Sequence, residues 1–287
     1  MVLLVSVAAM LCKTLIDFLG SITGRRDGGR QVNLYYSLQS ATMLVLLLLL
    51  WLTGLTRVQV SAPALFYSAL TGLLSFVAYL LFLNSLKGEN GTVNITVYRL
   101  NFIISSLLGI LVLGETVTFR KVAGILLCTV AILIFIGMKD LLKGRIDIRF
   151  LYSLAASILT GILNMFNKMA LTAGINSDTL LTFRYLVVMA MTVALFRVLN
   201  PGLDFRGLKT NRGILLPGAV SGALMLGSLF LLYYAMAIGE ISVVIPIVQS
   251  CFIFTSLLCV LFLKEKMTMR KAAGVVLAVA SMLVLSL

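Results

Sequence analysis

The chain contains no histidine, the residue that most often binds metal ions and shuttles protons near neutral pH. Its four cysteines all lie within apolar runs and form no CxxC pair, so they indicate small core residues rather than a metal or redox centre. The sequence has no nucleotide-binding loop and no nucleophile motif either. We therefore expect the protein not to be an enzyme, and predict no catalytic residue, no metal site and no cofactor.

Charged residues are scarce as well. They make up 11% of the 287 residues, whereas hydrophobic residues make up 61% and the mean hydropathy is +1.11. A soluble domain is about a quarter charged and about half apolar. Apolar runs long enough to cross a bilayer recur along the chain, without the alternation of a transmembrane barrel. These runs predict an all-α integral membrane protein, because a helix satisfies its own backbone hydrogen bonds within lipid.

Ten transmembrane helices are predicted, and basic residues favour one set of the loops between them. The helices are expected at about 2–22, 34–54, 62–86, 91–113, 119–138, 149–171, 178–199, 213–237, 240–263 and 271–287. The loops after the odd-numbered helices carry 16 lysines and arginines, and the opposite loops carry 4. Since basic loops face the cytoplasm, both termini are expected outside a bacterial cell membrane. This topology accounts for the net charge of +13, so no nucleic-acid partner is inferred.

Two stretches of the chain, 150 residues apart, have nearly the same sequence. Residues 113–135 read LGETVTFRKVAGILLCTVAILIF, and residues 263–285 read LKEKMTMRKAAGVVLAVASMLVL. The same offset pairs Glu115 with Glu265, which we expect to shape the turns rather than to couple protons. The repeat indicates that the chain consists of two copies of one unit.

The predicted copies have five helices each. The first half of the chain is residues 1–138, the second half is residues 149–287, and a cytoplasmic linker is expected at 139–148. Because five is an odd number, the second half enters the membrane from the opposite side, which makes the two halves inverted repeats. Such repeats enclose a site near the midplane of the bilayer, and one repeat rocks against the other to give alternating access.

Each half carries a Glu-x-x-Thr-x-Arg-Lys-x-x-Gly run between its fourth and fifth helices. This arrangement resembles the drug/metabolite transporter superfamily, in particular its EamA-type branch, over essentially the whole chain. The resemblance implies a secondary transporter of small metabolites with a cavity lined mainly by helices 1–4 and 6–9. Family members often have a proline early in the fourth helix of each copy. Here only the second half has one, at Pro246, and Thr96 is its offset partner.

Charged residues at membrane depth are costly, so each is a candidate for the transport site. Lys13 and Asp17 share one helix face, where they either neutralise each other or bind substrate or relay a proton. Arg99 lies mid-helix and either anchors a carboxylate or phosphate or is satisfied by helix carbonyls or by Asp17 across the bundle. Its offset partner is Gln249, and Pro246 beside it is the predicted gate. The predicted substrate-binding residues are Lys13, Asp17, Tyr79, Tyr98, Arg99, Asn101, Asn164, Arg184 and Gln249.

The predicted function is export of a small polar metabolite, such as an amino acid or organic anion, because cations outnumber acids among these residues. One alternative is a multidrug exporter of lipophilic cations that uses Asp17 as an unpaired acid. Another is a membrane scaffold that transports nothing. The expected partners are a small-molecule substrate, the lipid bilayer and a coupling proton or ion, and the protein is expected to be a monomer or a homodimer.

Overall fold

The computed structural model describes residues 1–26, 32–85, 91–136, 148–195, 198, 212–264 and 267–286. These residues form twelve α-helices and no strand. The helices are α1 Val2–Arg26, α2 Val32–Leu52, α3 Ala62–Ser85, α4 Gly91–Arg99, α5 Asn101–Leu111, α6 Phe119–Ile136, α7 Ile148–Thr172, α8 Ser177–Ala194, α9 Arg212–Ile238, α10 Ile241–Gln249, α11 Cys251–Leu263 and α12 Met269–Ser286.

Several of these helices are suited to a bilayer. Seven stretches of the described residues are long and apolar enough to cross it: Val2–Thr23, Asn33–Leu52, Ala62–Ser85, Ile148–Thr172, Ser177–Ala194, Gly213–Ile238 and Ile241–Leu263. A shorter apolar stretch covers Val97–Leu111, and α6 and α12 are not among the seven. The chain is thus an all-α membrane protein.

Two helices that the sequence predicts as continuous are each broken near the middle. The predicted helix 91–113 is interrupted at Leu100, and the predicted helix 240–263 is interrupted at Ser250. The amide of Leu100 donates to the carbonyl of Val97 at 3.2 Å, and the amide of Ser250 donates to that of Ile247 at 3.1 Å. Both breaks therefore contain a hydrogen bond of the 3₁₀ type, and the two breaks lie 150 residues apart.

Pro246 is not the common cause of these breaks, since the first half has Thr96 at the equivalent position and breaks in the same way. Pro246 lies inside α10 with its side chain buried. The amide and the hydroxyl of Ser250 both donate to its carbonyl, at 3.1 and 2.9 Å. The predicted gate residue is thus part of the packed helix just before the break.

Other boundaries differ from those predicted by up to several residues, and two of them bear on the predicted site and linker. Helix α1 continues to Arg26, so Asp17 lies more than two turns before its end and its side chain faces the bundle. Helix α7 begins at Ile148, the last residue of the predicted linker, and residues 139–147 lie outside the described residues.

The most extensively packed pairs of helices have counterparts formed by the helices that lie 150 residues away in sequence. Helix α1 packs on α9 while α3 packs on α7, and α2 packs on α9 while α3 packs on α8. Close approach requires glycine at the two equivalent positions Gly72 and Gly222. A Cβ on Gly72 would lie 2.9 Å from that of Val187, and one on Gly222 would lie 2.7 Å from that of Thr42. Helices α6 and α12 pack on each other.

Candidate functional site

A cavity of about 480 Å³ lies between the two halves of the chain. Its volume suits a small organic molecule. Helices α1–α4 of the first half and α7–α11 of the second half all contribute to its wall. Asn101 and Pro246 do not line it. The predicted site residues that do are Lys13, Asp17, Tyr79, Tyr98, Arg99, Asn164, Arg184 and Gln249.

Arg99, at the end of α4, forms an ion pair across the cavity. Its Nη2 donates to Oδ2 of Asp17 at 3.0 Å, and its Nη1 donates to Sγ of Cys251 at 3.3 Å. The side chains of Arg99 and Asp17 are 16% and 26% exposed. This geometry favours the interpretation in which Asp17 neutralises Arg99 over the one in which Arg99 anchors an anionic substrate. Its charge is therefore already compensated within the protein.

Lys13, one turn before Asp17 on α1, makes a different contact. Its Nζ donates to Oε1 of Gln249 at 3.1 Å, and Nε2 of Gln249 donates to Oδ1 of the buried Asn101 at 2.9 Å. Within the described residues, Lys13 and Asp17 form no ion pair with each other. Lys13 thus contacts α10, whereas Asp17 contacts α4. Asn101 does not line the cavity but holds Gln249, which does.

The contacts at the two breaks are related by the 150-residue offset. Arg99 contacts Cys251, and Gln249 contacts Asn101. Arg99 and Gln249 are offset partners, and so are Asn101 and Cys251. The two contacts therefore join equivalent positions. The same position thus carries a charged contact on one side and an amide–amide contact on the other.

A second pair of contacts obeys the same relation. Nδ2 of Asn164 donates to Oγ of Ser105 at 2.9 Å, and Oγ1 of Thr255 donates to the carbonyl of Thr14 at 3.4 Å. Asn164 and Thr14 are offset partners, as are Ser105 and Thr255. The equivalence of the two halves therefore extends from the breaks into α1 and α7.

Arg184, on α8, has no carboxylate partner among the described residues. Its Nη1 donates to the hydroxyl of Tyr233 at 2.6 Å, and that hydroxyl donates to Oδ1 of Asn167 at 3.0 Å. The guanidinium also lies 5.7 Å from the ring centre of Tyr185. Arg184 is 6% exposed, and its Nε has no hydrogen-bond partner among the described residues. Within that part of the chain, the partners of this charge are neutral dipoles.

Aromatic rings cover another part of the cavity wall. The rings of Tyr36 and Tyr79 stack with centres 3.6 Å apart, and those of Phe82 and Tyr98 stack at 4.1 Å. All four line the cavity. Tyr79 and Tyr98 were predicted site residues, and the structure joins each to a partner that the sequence did not single out. Flat apolar surface is therefore available next to the charged groups.

Glu115 lies outside this cavity and contacts a helix of the second half. Its carboxylate accepts hydrogen bonds from the amides of Ile241 and Ser242, at 2.6 and 3.0 Å. A carboxylate at this place satisfies free amides and interacts favourably with the helix dipole. Glu115 thus caps α10, in keeping with a structural role, while Glu265 lies outside the described residues.

Three residues that contact the site are not among the predicted site residues. Cys251 is predicted as a small core residue, like the other cysteines, and Tyr233 is not selected because most tyrosines in apolar runs are core or interfacial residues. Asn167 is not selected either, although the 150-residue offset pairs it with Asp17. That offset was the available signal. No group of three or more potential metal-binding side chains occurs in the part of the chain that the structure describes.

Comparison with known proteins agrees with the sequence pattern. A relative of unknown function from Methanocaldococcus jannaschii is 35% identical over 78 residues, which are 27% of this chain. The match spans 57% of that protein, little more than half its length. A solved crystal structure has a TM-score of 0.75 at 17% identity and covers 99% of this chain and 95% of that one, so the two share a fold.

The family assignment comes from a third comparison. The model of the EamA-like transporter family matches residues 1–137 and 148–287, which together are nearly the whole chain. The predicted resemblance to EamA-type transporters is thereby confirmed. The chain belongs to the EamA-like transporter family and is a multi-pass membrane protein.

Proposed function

We propose that the protein is a secondary transporter of a small organic anion, such as an amino acid or another carboxylate, across the cell membrane of a bacterium. The charge of the cavity carries this proposal. Among the described residues, its charged lining is Lys13, Arg99, Arg184 and Asp17, three cations and one carboxylate. An excess of positive charge in a low-dielectric site attracts an anionic solute.

The proposed architecture is ten spans in two inverted five-helix repeats, residues 1–138 and 149–287. The two segments matched by the family support it, as do the offset-related contacts at the broken helices. The basic loops support a topology with both termini outside. Helices that break near the midplane of the bilayer suit a site reached alternately from each side. Export, a coupling proton or ion, and a monomeric or homodimeric state stay predictions.

The observed ion pair argues against the alternative of a lipophilic-cation exporter. Such an exporter needs an unpaired acid, and Asp17 is engaged by Arg99 at 3.0 Å. A membrane scaffold, the other alternative, has no need for a cavity with charged walls, since charges at membrane depth are costly. An anion transporter uses both features.

The test is transport by the purified protein in liposomes. Vesicles are loaded with a mixture of unlabelled small carboxylates, and uptake of single radiolabelled carboxylates, neutral amides and lipophilic cations is followed in exchange. Reversing the gradient measures the other direction. We expect exchange of at least one carboxylate above that of protein-free vesicles. Uptake of cations alone, or of no solute in either direction, would refute the proposal.

A further inference from the structure

Arg184 is the deeper of the two cavity cations that lack a carboxylate among the described residues. Lys13, the other, is partly exposed and bonded to Gln249, whereas Arg184 is 6% exposed. Nη1 of Arg184 donates to the hydroxyl of Tyr233. Nε is buried and has no acceptor among the described residues. Arg184 lines the cavity, and a buried guanidinium without a counter-charge is costly unless an anion binds beside it.

The described residues of the first half provide a carboxylate for Arg99, and those of the second half provide none for Arg184. Asp17 neutralises Arg99, and the offset partner of Asp17 is Asn167. Arg184, Tyr233 and Asn167 form one hydrogen-bonded cluster, in which Oδ1 of Asn167 accepts from the hydroxyl of Tyr233 at 3.0 Å. The position that carries an acid in α1 therefore carries a neutral amide in α7. An aspartate at 167 would give Arg184 a counter-charge within the protein.

We infer that Arg184 and Asn167, which both line the cavity, form the subsite that binds the carboxylate of the transported solute, and that the fully buried Tyr233 holds the two side chains in place. This inference rests on the proposed function and names the group that the site recognises. A carboxylate accepts charge-assisted hydrogen bonds from a guanidinium. Its single negative charge offsets the single charge of Arg184. Aromatic residues elsewhere on the wall, among them Tyr79 and Tyr98, suit an apolar body attached to that group.

The test compares binding of carboxylates with that of the primary amides of the same shape. The probes are acetate with acetamide and phenylacetate with phenylacetamide, and binding to the purified full chain in detergent micelles is measured by titration calorimetry at neutral pH. A hydrogen-bonded charge contact predicts that the carboxylate of a pair binds about 10-fold to 100-fold more tightly than its amide. Equal binding of the two members, or no binding of either pair, would overturn the inference.

Two variants connect the preference to this cluster. Asn167→Asp restores the residue of the first half, and we expect the preference for carboxylate to fall below about 3-fold while the protein stays at least as heat-stable as the wild type. Arg184→Gln is expected to lose the preference as well. Arg57→Gln is the matched control, because Arg57 is an exposed arginine away from the cavity. A wild-type preference in Asn167→Asp would reject the assignment even if Arg184→Gln did not fold.

The binding assay separates this inference from the proposed function. If the wild type prefers carboxylates and Asn167→Asp loses that preference, but the liposomes exchange no solute, transport is refuted and the carboxylate subsite stands. If the liposomes exchange a carboxylate but Asn167→Asp binds the probes like the wild type, transport stands and this subsite is wrong.

Discussion

Arg99 and Arg184 reach the same cavity from different halves of the chain, yet their charges are compensated in different ways. Arg99 pairs with the carboxylate of Asp17, whereas Arg184 contacts the hydroxyl of Tyr233. A charge inside a membrane needs a partner. Within the described residues, Asp17 is that partner for Arg99, whereas Arg184 has only neutral dipoles. Arg99, the arginine at a broken helix, is therefore the less available to a ligand.

The largest effect is expected from removing the charge of Asp17. Asp17→Asn keeps the size of the side chain but leaves Arg99 without its counter-charge. Breaking a buried ion pair from one side costs about 3–5 kcal/mol, and partial exposure to the cavity reduces this to about 2–4 kcal/mol. We expect a loss of that size in the free energy of unfolding, measured by denaturant titration in micelles.

The double variant tests whether charge is the cause. Asp17→Asn combined with Arg99→Met removes both charges, so most of the lost stability should return. Arg99→Met alone is expected to be destabilising as well, because it leaves the carboxylate unpaired. A double variant as unstable as Asp17→Asn would mean that the shape of Asp17, and not its charge, matters at this site.

A smaller effect is expected on the Arg184 side of the comparison. Tyr233→Phe removes the hydroxyl between Arg184 and Asn167, and it leaves a buried donor and a buried acceptor without partners. Such a loss costs about 1–3 kcal/mol. The free energy of unfolding should fall by that amount, as measured by denaturant titration.

The neighbouring tyrosine provides the control for this variant. Tyr234 is 47% exposed, and Tyr234→Phe is expected to leave stability within about 0.5 kcal/mol of the wild type. Two variants of equal stability would show that the Tyr233 hydroxyl does not hold Arg184. The carboxylate preference of Tyr233→Phe should weaken without disappearing, since the charge of Arg184 remains.

The sequence predicts the parts of this fold that depend on apolar runs. Long helices such as 62–86 are recovered within a residue or two because spanning a bilayer demands length and apolarity together. The breaks at Leu100 and Ser250 are not predicted. Neither residue is a glycine or proline. Polar residues lie at both breaks, among them Arg99, Asn101 and Gln249, but polar residues in an apolar run equally mark a binding site in a continuous helix.

The candidate site is predictable as a set of residues but not as a set of contacts. Polar side chains in apolar runs are few, and most of those chosen from the sequence line the cavity. Which of them pair depends on helix packing. Asp17 and Arg99 are 82 residues apart, and Lys13 meets Gln249 across 236 residues. Spacing along one helix permits a Lys13–Asp17 pair, but in the structure each side chain has a partner across the bundle instead.

The smallest effect is expected from Cys251, the second partner of Arg99. Its Sγ lies 3.3 Å from Nη1 of Arg99 and 3.3 Å from the Asp17 carboxylate. A thiol is a weak donor and acceptor, so it adds little to an arginine that already has a carboxylate. We expect Cys251→Ala to lower the free energy of unfolding by about 1 kcal/mol, well below the effect of Asp17→Asn, in the same denaturant titration. A loss as large as that of Asp17→Asn would make the thiol an essential part of the cluster. The contrast between Arg99 and Arg184 would then rest on how many partners each has, and not on the presence of a counter-charge.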